Sequence, residues 1–300
     1  MYFPFVKLFE LQKQHGITNA YKKLVETVLN EDFSTQKNIL SRNDQIGTMA
    51  HALTCEIRIA LEKNEFFLEY QPQVDEQGTI FGVEALLRWN HPRYGRVPPP
   101  VVVSLAEEIG IIQELGQWII VEACSQLGKW NNQGINGIRM AINISPTQLQ
   151  NELLPFLVET IKLNMLDPRD IELEITETVA FETNPQTIIL LNAIKKLGVS
   201  IAMDDFGMGH ASLYCMRHFD LDKIKIDGSL TRDVIENKSC QDIISSITYL
   251  AHSMHITVIA EYVETKEQFE MLKILGCEQF QGYFFGKPQH ETQGVKQFTP

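Results

Sequence analysis

The residues with the plainest chemical potential are Asp204 and Asp205, side by side in Ile201–Leu213, IAMDDFGMGHASL. A short apolar run ends on the two carboxylates, and a loop with two glycines follows. Adjacent carboxylates at the mouth of a buried strand repel each other, and the pair is costly unless a cation or a shared proton offsets it. Other polar residues end apolar runs in the same way: Glu84, Asn143, Glu174 with Glu177, Lys225 with Asp227, Glu261 with Glu264, and Gln281. Most offer oxygen donors, which hard cations such as Mg²⁺ or Mn²⁺ prefer, and several carboxylates together can hold two ions. Histidine and cysteine are missing from these run ends, which argues against zinc. A lone lysine among acids, Lys225, points to a contact with substrate phosphate or an attacking water.

Taken singly, each residue has a bland reading. Glu84 is an exposed strand-end acid, Asn143 caps the turn before Pro146, Asp227–Gly228 is a turn, and Gln281 is a satisfied core amide. Lys225 pairs structurally with Asp227 or Asp205. Glu172 and Glu174 share one strand face, and the sequence does not choose which points inward. Recurrence at the ends of successive runs is what favours a site.

The elements that must position these residues follow a repeating grammar. His51–Asn64 is helical in pattern, Phe66–Val74 alternates as a strand, and Gly78 separates it from a second strand over Thr79–Trp89 that ends near Glu84. A Pro-rich loop, Pro92–Pro100, precedes helical segments over Ser104–Asn131. Strands over Ile138–Ser145, Ile171–Glu177, Val199–Phe206, Lys223–Asp227 and Ile256–Glu261 then alternate with helices over Leu153–Leu163, Pro185–Leu197, Ser239–Met254 and Lys266–Leu275. His210–His218 reads as one short helix, and Cys277–Phe284 closes the series. This alternation implies parallel pairing with helices outside, and about eight strand candidates match a closed (β/α)8 barrel. An open doubly wound sheet is the rival. It is disfavoured because the first strand lacks a Gly-rich phosphate turn and polar residues end nearly every strand.

The chain has 300 residues, 44% of them hydrophobic and 21% charged, enough for a sizeable core. Its net charge of -12 makes duplex DNA and anionic membranes poor partners, although metal ions can still recruit a small phosphodiester. Five scattered cysteines point to buried thiols in a reducing compartment. No apolar run approaches a membrane span and the start lacks a signal-peptide pattern, so a cytoplasmic protein, or the soluble part of a larger one, is expected. Residues 1–50 read as a helical N-terminal extension or linker, 51–290 as the main domain and 291–300 as a tail.

The ordered motifs resemble the EAL-domain family of bacterial phosphodiesterases acting on cyclic di-GMP. They are YQPQ at 70–73, EALLRWNHP at 84–92, NIS at 143–145, EITE at 174–177, DDFGMG at 204–209, KID at 225–227, AEYVE at 260–264 and QGYFFGKP at 281–288. The resemblance implies a modified (β/α)8 barrel with one antiparallel strand and Mg²⁺- or Mn²⁺-dependent hydrolysis of cyclic di-GMP to linear pGpG. By motif it assigns Glu84, Asn143, Glu174 and Asp204 to one ion, with Asp204 bridging to a second near Asp205. Glu261 and Lys225 would position or deprotonate the attacking water. Gln71, Arg88 and Gln281 would line the substrate groove, and Glu177 would hold the loop after Asp205. Some family members bind without cleaving, so a receptor is the alternative function. The family often forms homodimers, a state this sequence does not itself show. The chain departs from the family pattern at Met208, His210, Ala211 and Tyr262, the last replacing a glycine.

Overall fold

The computed structural model describes residues 21, 23–28, 40, 44–176, 185–207 and 216–290. Two compact units share the chain: Met1–Phe67 with Leu87–Leu115, and Leu68–Leu86 with Gly116–Pro300.

In the smaller unit, helix α1 (Gln45–Glu62) starts where the Asp44 carboxylate accepts from the amides of Ile46 and Gly47, both at 3.0 Å. The strands β1 (Phe66–Asp75) and β2 (Ile80–His91) each cross from one unit to the other, and β3 (Gly95–Val97) pairs antiparallel with the end of β2. Helix α2 (Pro99–Glu108) packs on α1. Pro99 and Pro100 occupy its first turn, where a missing N–H costs nothing. β2 therefore runs seven residues beyond Glu84, and the expected Pro-rich loop holds a strand and a helix start. His91, at the end of β2, is a structural residue. Its Nδ1 accepts from the amides of Arg93 at 3.1 Å and Tyr94 at 3.3 Å, and its Nε2 meets Glu56. Residues 23–28 are helical, with Leu24 and Val28 buried, and the Tyr21 ring stacks on Tyr94 at 5.2 Å.

Helix α3 (Ile112–Asn132) leads into the larger unit, a closed α/β barrel. Its strands continue as β4 (Arg139–Ile144), β5 (Ile171–Thr176), β6 (Ser200–Phe206), β7 (Lys223–Ile226), β8 (Thr257–Ala260) and β9 (Gln279–Gln281). The helices between them are α4 (Leu153–Leu163), α5 (Pro185–Leu197), α6 (Gly228–Arg232), α7 (Lys238–Ser253) and α8 (Lys266–Ile274). From β2 through β9 every neighbouring pair in the ring is parallel. β1 alone runs antiparallel to its neighbour β9, and its pairing with β2 closes the ring. The reversal comes from the hairpin over 75–79. Asp75 accepts from the Gln77 and Thr79 amides at 2.9 and 2.8 Å, and Gly78 takes φ +79°.

The strands read as almost unbroken apolar runs because both faces are buried, by barrel interior and by helices. α4 and α5 begin and end where their periodicity places them. The five-residue α6 was not expected from the sequence. Only Met216–His218 of the expected His210–His218 helix falls among the described residues, and it is helical. Cys124, Cys240 and Cys277 are buried thiols, whereas Cys55 is exposed, against expectation. Among the described residues no helix is long and apolar enough to cross a membrane.

One glycine fixes how the end of β9 meets the loop after β8. A Cβ on Gly282 would sit 2.1 Å from the Val263 carbonyl oxygen and 2.3 Å from its nitrogen. That approach lets the Val263 amide donate to Gln281 O at 3.1 Å and its carbonyl accept from Phe284 N at 3.0 Å. Gly282→Ala forces two backbones apart and should cost about 2 kcal/mol or more. A melting curve is expected to shift down by about 5 °C; an unchanged Tm would show that the loop relaxes without penalty.

Candidate active site

The C-terminal ends of the barrel strands bring the acids together around one lysine. Parallel register sets Asn143 opposite Glu174, Thr176 opposite Asp204, and Lys225 opposite Ile259. Lys225 is fully buried on β7. Its Nζ lies 2.7 Å from Glu174 Oε2, 2.8 Å from Glu261 Oε1, 3.3 Å from Asp204 Oδ1 and 3.6 Å from Glu84 Oε2. The structural pairing considered for Lys225, with Asp227 or Asp205, is not the one observed. Asp227 instead caps α6, accepting from Ser229 N at 2.8 Å.

A chain of amides closes the other side. Asn143 Nδ2 donates to Glu84 Oε1 at 2.6 Å, and Gln281 Nε2 donates to Glu84 Oε2 at 2.5 Å and to Gln71 Oε1 at 3.1 Å. Gln71 Nε2 in turn donates to the Gly286 carbonyl at 3.2 Å. The sequence reading missed Gln73, which is fully buried and donates to Gln281 Oε1 at 3.0 Å and Glu174 Oε1 at 3.5 Å. Its signal was present: Gln71 and Gln73 are two apart on one strand and so share a face.

Glu172 and Glu174 both point into the barrel. Glu174 joins the upper cluster, and Glu172 forms a second layer with Lys223 Nζ at 2.8 Å and the Arg139 guanidinium at 3.4 Å. The site edge is held by Gln148, whose Oε1 accepts from Ser145 N at 2.9 Å. Gly116 leaves room for that side chain, since a Cβ there would lie 1.6 Å from Gln148 Nε2.

Strand alternation alone would send Asp204 and Asp205 to opposite faces. A register shift between Met203 and Phe206, with φ +55° at Asp205, turns the chain so that both serve the mouth. One carboxylate oxygen each from Asp204, Asp205 and Glu261 lie within 4.8 Å of one another. Glu261 directly follows β8 and is buried.

The electrostatics are those of a crowded acid cluster. Burial, with Lys225 opposing it and Asp204 adding to it, pushes Glu261 up to about 8. Burial and the neighbouring Asp204 push Asp205 up to about 6. Burial and Glu84 hold Glu174 well above the usual carboxylate range. Glu84 goes the other way: burial raises it, but Lys225 and the amides of Gln281 and Asn143 outweigh burial. The four surrounding acids likewise hold Lys225 charged against its burial. Five carboxylates facing one ammonium leave excess negative charge that only protons or cations can offset. With all-oxygen donors, this set fits hard divalent ions.

Arg88 lies in the smaller unit, where its guanidinium donates to the Leu87 carbonyl at 2.9 Å. Glu264 is exposed, its amide bound to Gln268 Oε1 at 2.8 Å. Glu177, Met208, His210 and Ala211 lie outside the described residues.

Tyr262, next to Glu261, takes φ +55°, a left-handed backbone that favours glycine. Its ring lies over Gly228, where a Cβ would come 2.3 Å from Tyr262 Cδ2, and the Arg232 guanidinium covers it at 4.6 Å from the ring centre.

Fold and site together define an α/β barrel whose strand ends hold a dense acidic centre. The chain belongs to the EAL domain family, whose model matches residues 54–288. The oxygen sensor protein DosP of Escherichia coli is 37% identical over 79% of this chain and 30% of its own length. The bifunctional diguanylate cyclase/cyclic di-GMP phosphodiesterase MucR of Pseudomonas aeruginosa is 35% identical over 79% of this chain and 35% of its own. This chain thus spans about a third of the length of those curated relatives. The solved complex of the PaMucR phosphodiesterase with c-di-GMP superposes with a TM-score of 0.77 at 34% identity, covering 81% of this chain and 99% of that one. The EAL enzyme Bd1971, in its cAMP- and cyclic-di-GMP-bound form, gives a TM-score of 0.80 at 32% identity over 91% of this chain and 78% of that one.

Proposed function

We propose that this chain hydrolyses one phosphodiester bond of cyclic di-GMP to linear pGpG with Mg²⁺ or Mn²⁺. The observation that carries the reading is the convergence of Glu84, Glu174, Asp204 and Glu261 on Lys225, with Asn143 bonded to Glu84 and Asp205 grouped with Asp204 and Glu261, in a chain whose relative MucR is named a cyclic di-GMP phosphodiesterase. Glu84, Asn143, Glu174 and Asp204 would hold one ion, and Asp204 with Asp205 a second. Divalent ions bound there would lower the pKa of a water and offset charge on the attacked phosphate.

The remaining chemistry belongs to side chains. Glu261 Oε accepts the proton of the attacking water, and Lys225 Nζ, already bonded to Glu261 and Glu174, fixes both carboxylates and opposes the charge that builds on the phosphate. Gln281 and Asn143 lock the Glu84 carboxylate in one orientation before any ligand arrives. Gln71 and Gln281 line the groove.

The test is incubation of the purified chain with cyclic di-GMP and Mg²⁺ or Mn²⁺, with the products separated by chromatography. Appearance of pGpG, abolished by a chelator, is expected. Intact dinucleotide alongside measurable binding would make the chain a receptor instead.

A further inference from the structure

We infer that Tyr262 is a stacking platform for a guanine base of the ligand, set beside the acid cluster by a seat made of Gly228 and Arg232. The inference rests on the function proposed above and adds a binding role to the same site.

The geometry starts from α6. Gly228 and Arg232 are four apart and so lie on one face of that helix. The Tyr262 ring rests over Gly228, and Arg232 stacks on the ring. Both partners belong to the same helical face and seat the ring there, and Tyr262 is still 47% exposed. The seat is rigid. Asp227 caps α6 at its start, and Gln268 Nε2 reaches the carbonyls of Thr231 and Arg232 at 3.4 and 3.3 Å at its end. The other end of the platform is fixed as well, because Val263 is clamped against Gly282 and Gln281.

A half-open aromatic ring in a left-handed backbone, adjacent in sequence to Glu261, is an unfavourable arrangement for mere surface packing. It is a suitable one for a flat π-face presented to a ligand. The ligand of the proposed reaction carries a guanine on the nucleoside next to the phosphodiester under attack. A ring one residue from the proposed base lies within reach of it. Base–aromatic stacking is worth enough per base to show clearly in affinity.

The test compares the wild-type chain with Tyr262→Gly and Tyr262→Phe, using cyclic di-GMP as substrate and pGpG as product inhibitor. Tyr262→Gly removes the ring and relieves the φ. It should raise KM and the pGpG inhibition constant by about tenfold, leave kcat close to wild type, and leave Tm equal or higher. Tyr262→Phe keeps the face and should restore both constants. Unchanged KM and inhibition constant in Tyr262→Gly, beside an active wild type, would overturn the platform while leaving the proposed function standing. So would a fall in Tm and kcat with affinity intact, which is the signature of a packing role. A wild-type chain that neither cleaves nor binds cyclic di-GMP would remove the function and the platform together.

Discussion

Replacing Lys225 by methionine is expected to abolish turnover and to make the metal-free fold depend on pH more steeply than wild type does. Methionine keeps much of the length and apolar stem of lysine but removes the one ammonium that Glu174, Glu261, Asp204 and Glu84 share within 3.6 Å. Loss of one partner from a buried ion pair costs about 3–5 kcal/mol, because the charge left behind is uncompensated. Here several carboxylates are left, and they respond by holding protons more tightly, so the penalty grows as pH rises and those protons are stripped. Chemical denaturation of the metal-free variant should therefore show a deficit at pH 8.5 that shrinks at pH 6, and Mn²⁺ should restore part of it. Turnover at saturating Mn²⁺ should still fall by about a thousandfold, since the group that fixes Glu261 is gone. A variant with wild-type stability at both pH values and near-normal turnover would show that Lys225 is a bystander.

The barrel was legible because parallel strands buried on both faces leave long apolar runs, most of them ended by the polar residue that reaches the mouth. Glu84, Asn143, Glu174, Asp204, Lys225, Glu261 and Gln281 could be named for that reason. Which of Glu172 and Glu174 points inward was undecidable only because the question assumed one layer. A barrel interior stacks several, and alternate residues of one strand supply successive ones, so Glu174 took Lys225 and Glu172 took Lys223. Gln73 was missed for a similar reason, being one step below Gln71 on the same face.

Other features left no trace to read. Nothing in ALLRWNH marks where β2 stops pairing, because its end is set by the short partner strand β3. The left-handed conformations of Asp205 and Tyr262 follow from tertiary constraints. At Asp205 the residue type tolerates that region, but at Tyr262 the residue type does not, and the one hint is the glycine that the family pattern has there. The ring fits only because position 228, more than thirty residues earlier in the chain, has no side chain.

Metal-free protein should lose stability as pH rises, and divalent ions should reverse the trend. In the folded chain Glu261 titrates at about 8 against an ordinary 4.5, and Asp205 at about 6 against 3.8. Both values are raised, so the folded state holds protons that the unfolded chain has released. The stabilisation tied to these protons is full below the ordinary values. Asp205's share is lost between about pH 4 and 6 and Glu261's between about pH 4.5 and 8. At about 1.4 kcal/mol for each pH unit crossed, the Glu261 share is on the order of 5 kcal/mol.

Other carboxylates titrate too, so the comparison that isolates this group is Glu261→Gln, which cannot ionise. In chelator, the variant should match wild type near pH 4 and exceed it at pH 8.5. Ions need deprotonated ligands, so Mn²⁺ must displace the Asp205 proton, its charge disfavours the proton on neighbouring Glu261, and it should raise Tm more at pH 8.5 than at pH 6. Adding Mn²⁺ to wild type at pH 7 in a weak buffer should release protons, read with an indicator dye. A metal-free Tm that runs parallel in wild type and Glu261→Gln, with no proton release on adding Mn²⁺, would mean that the acids are already ionised. The cluster would then be balanced by Lys225 alone, and its charge would give no reason to expect an ion.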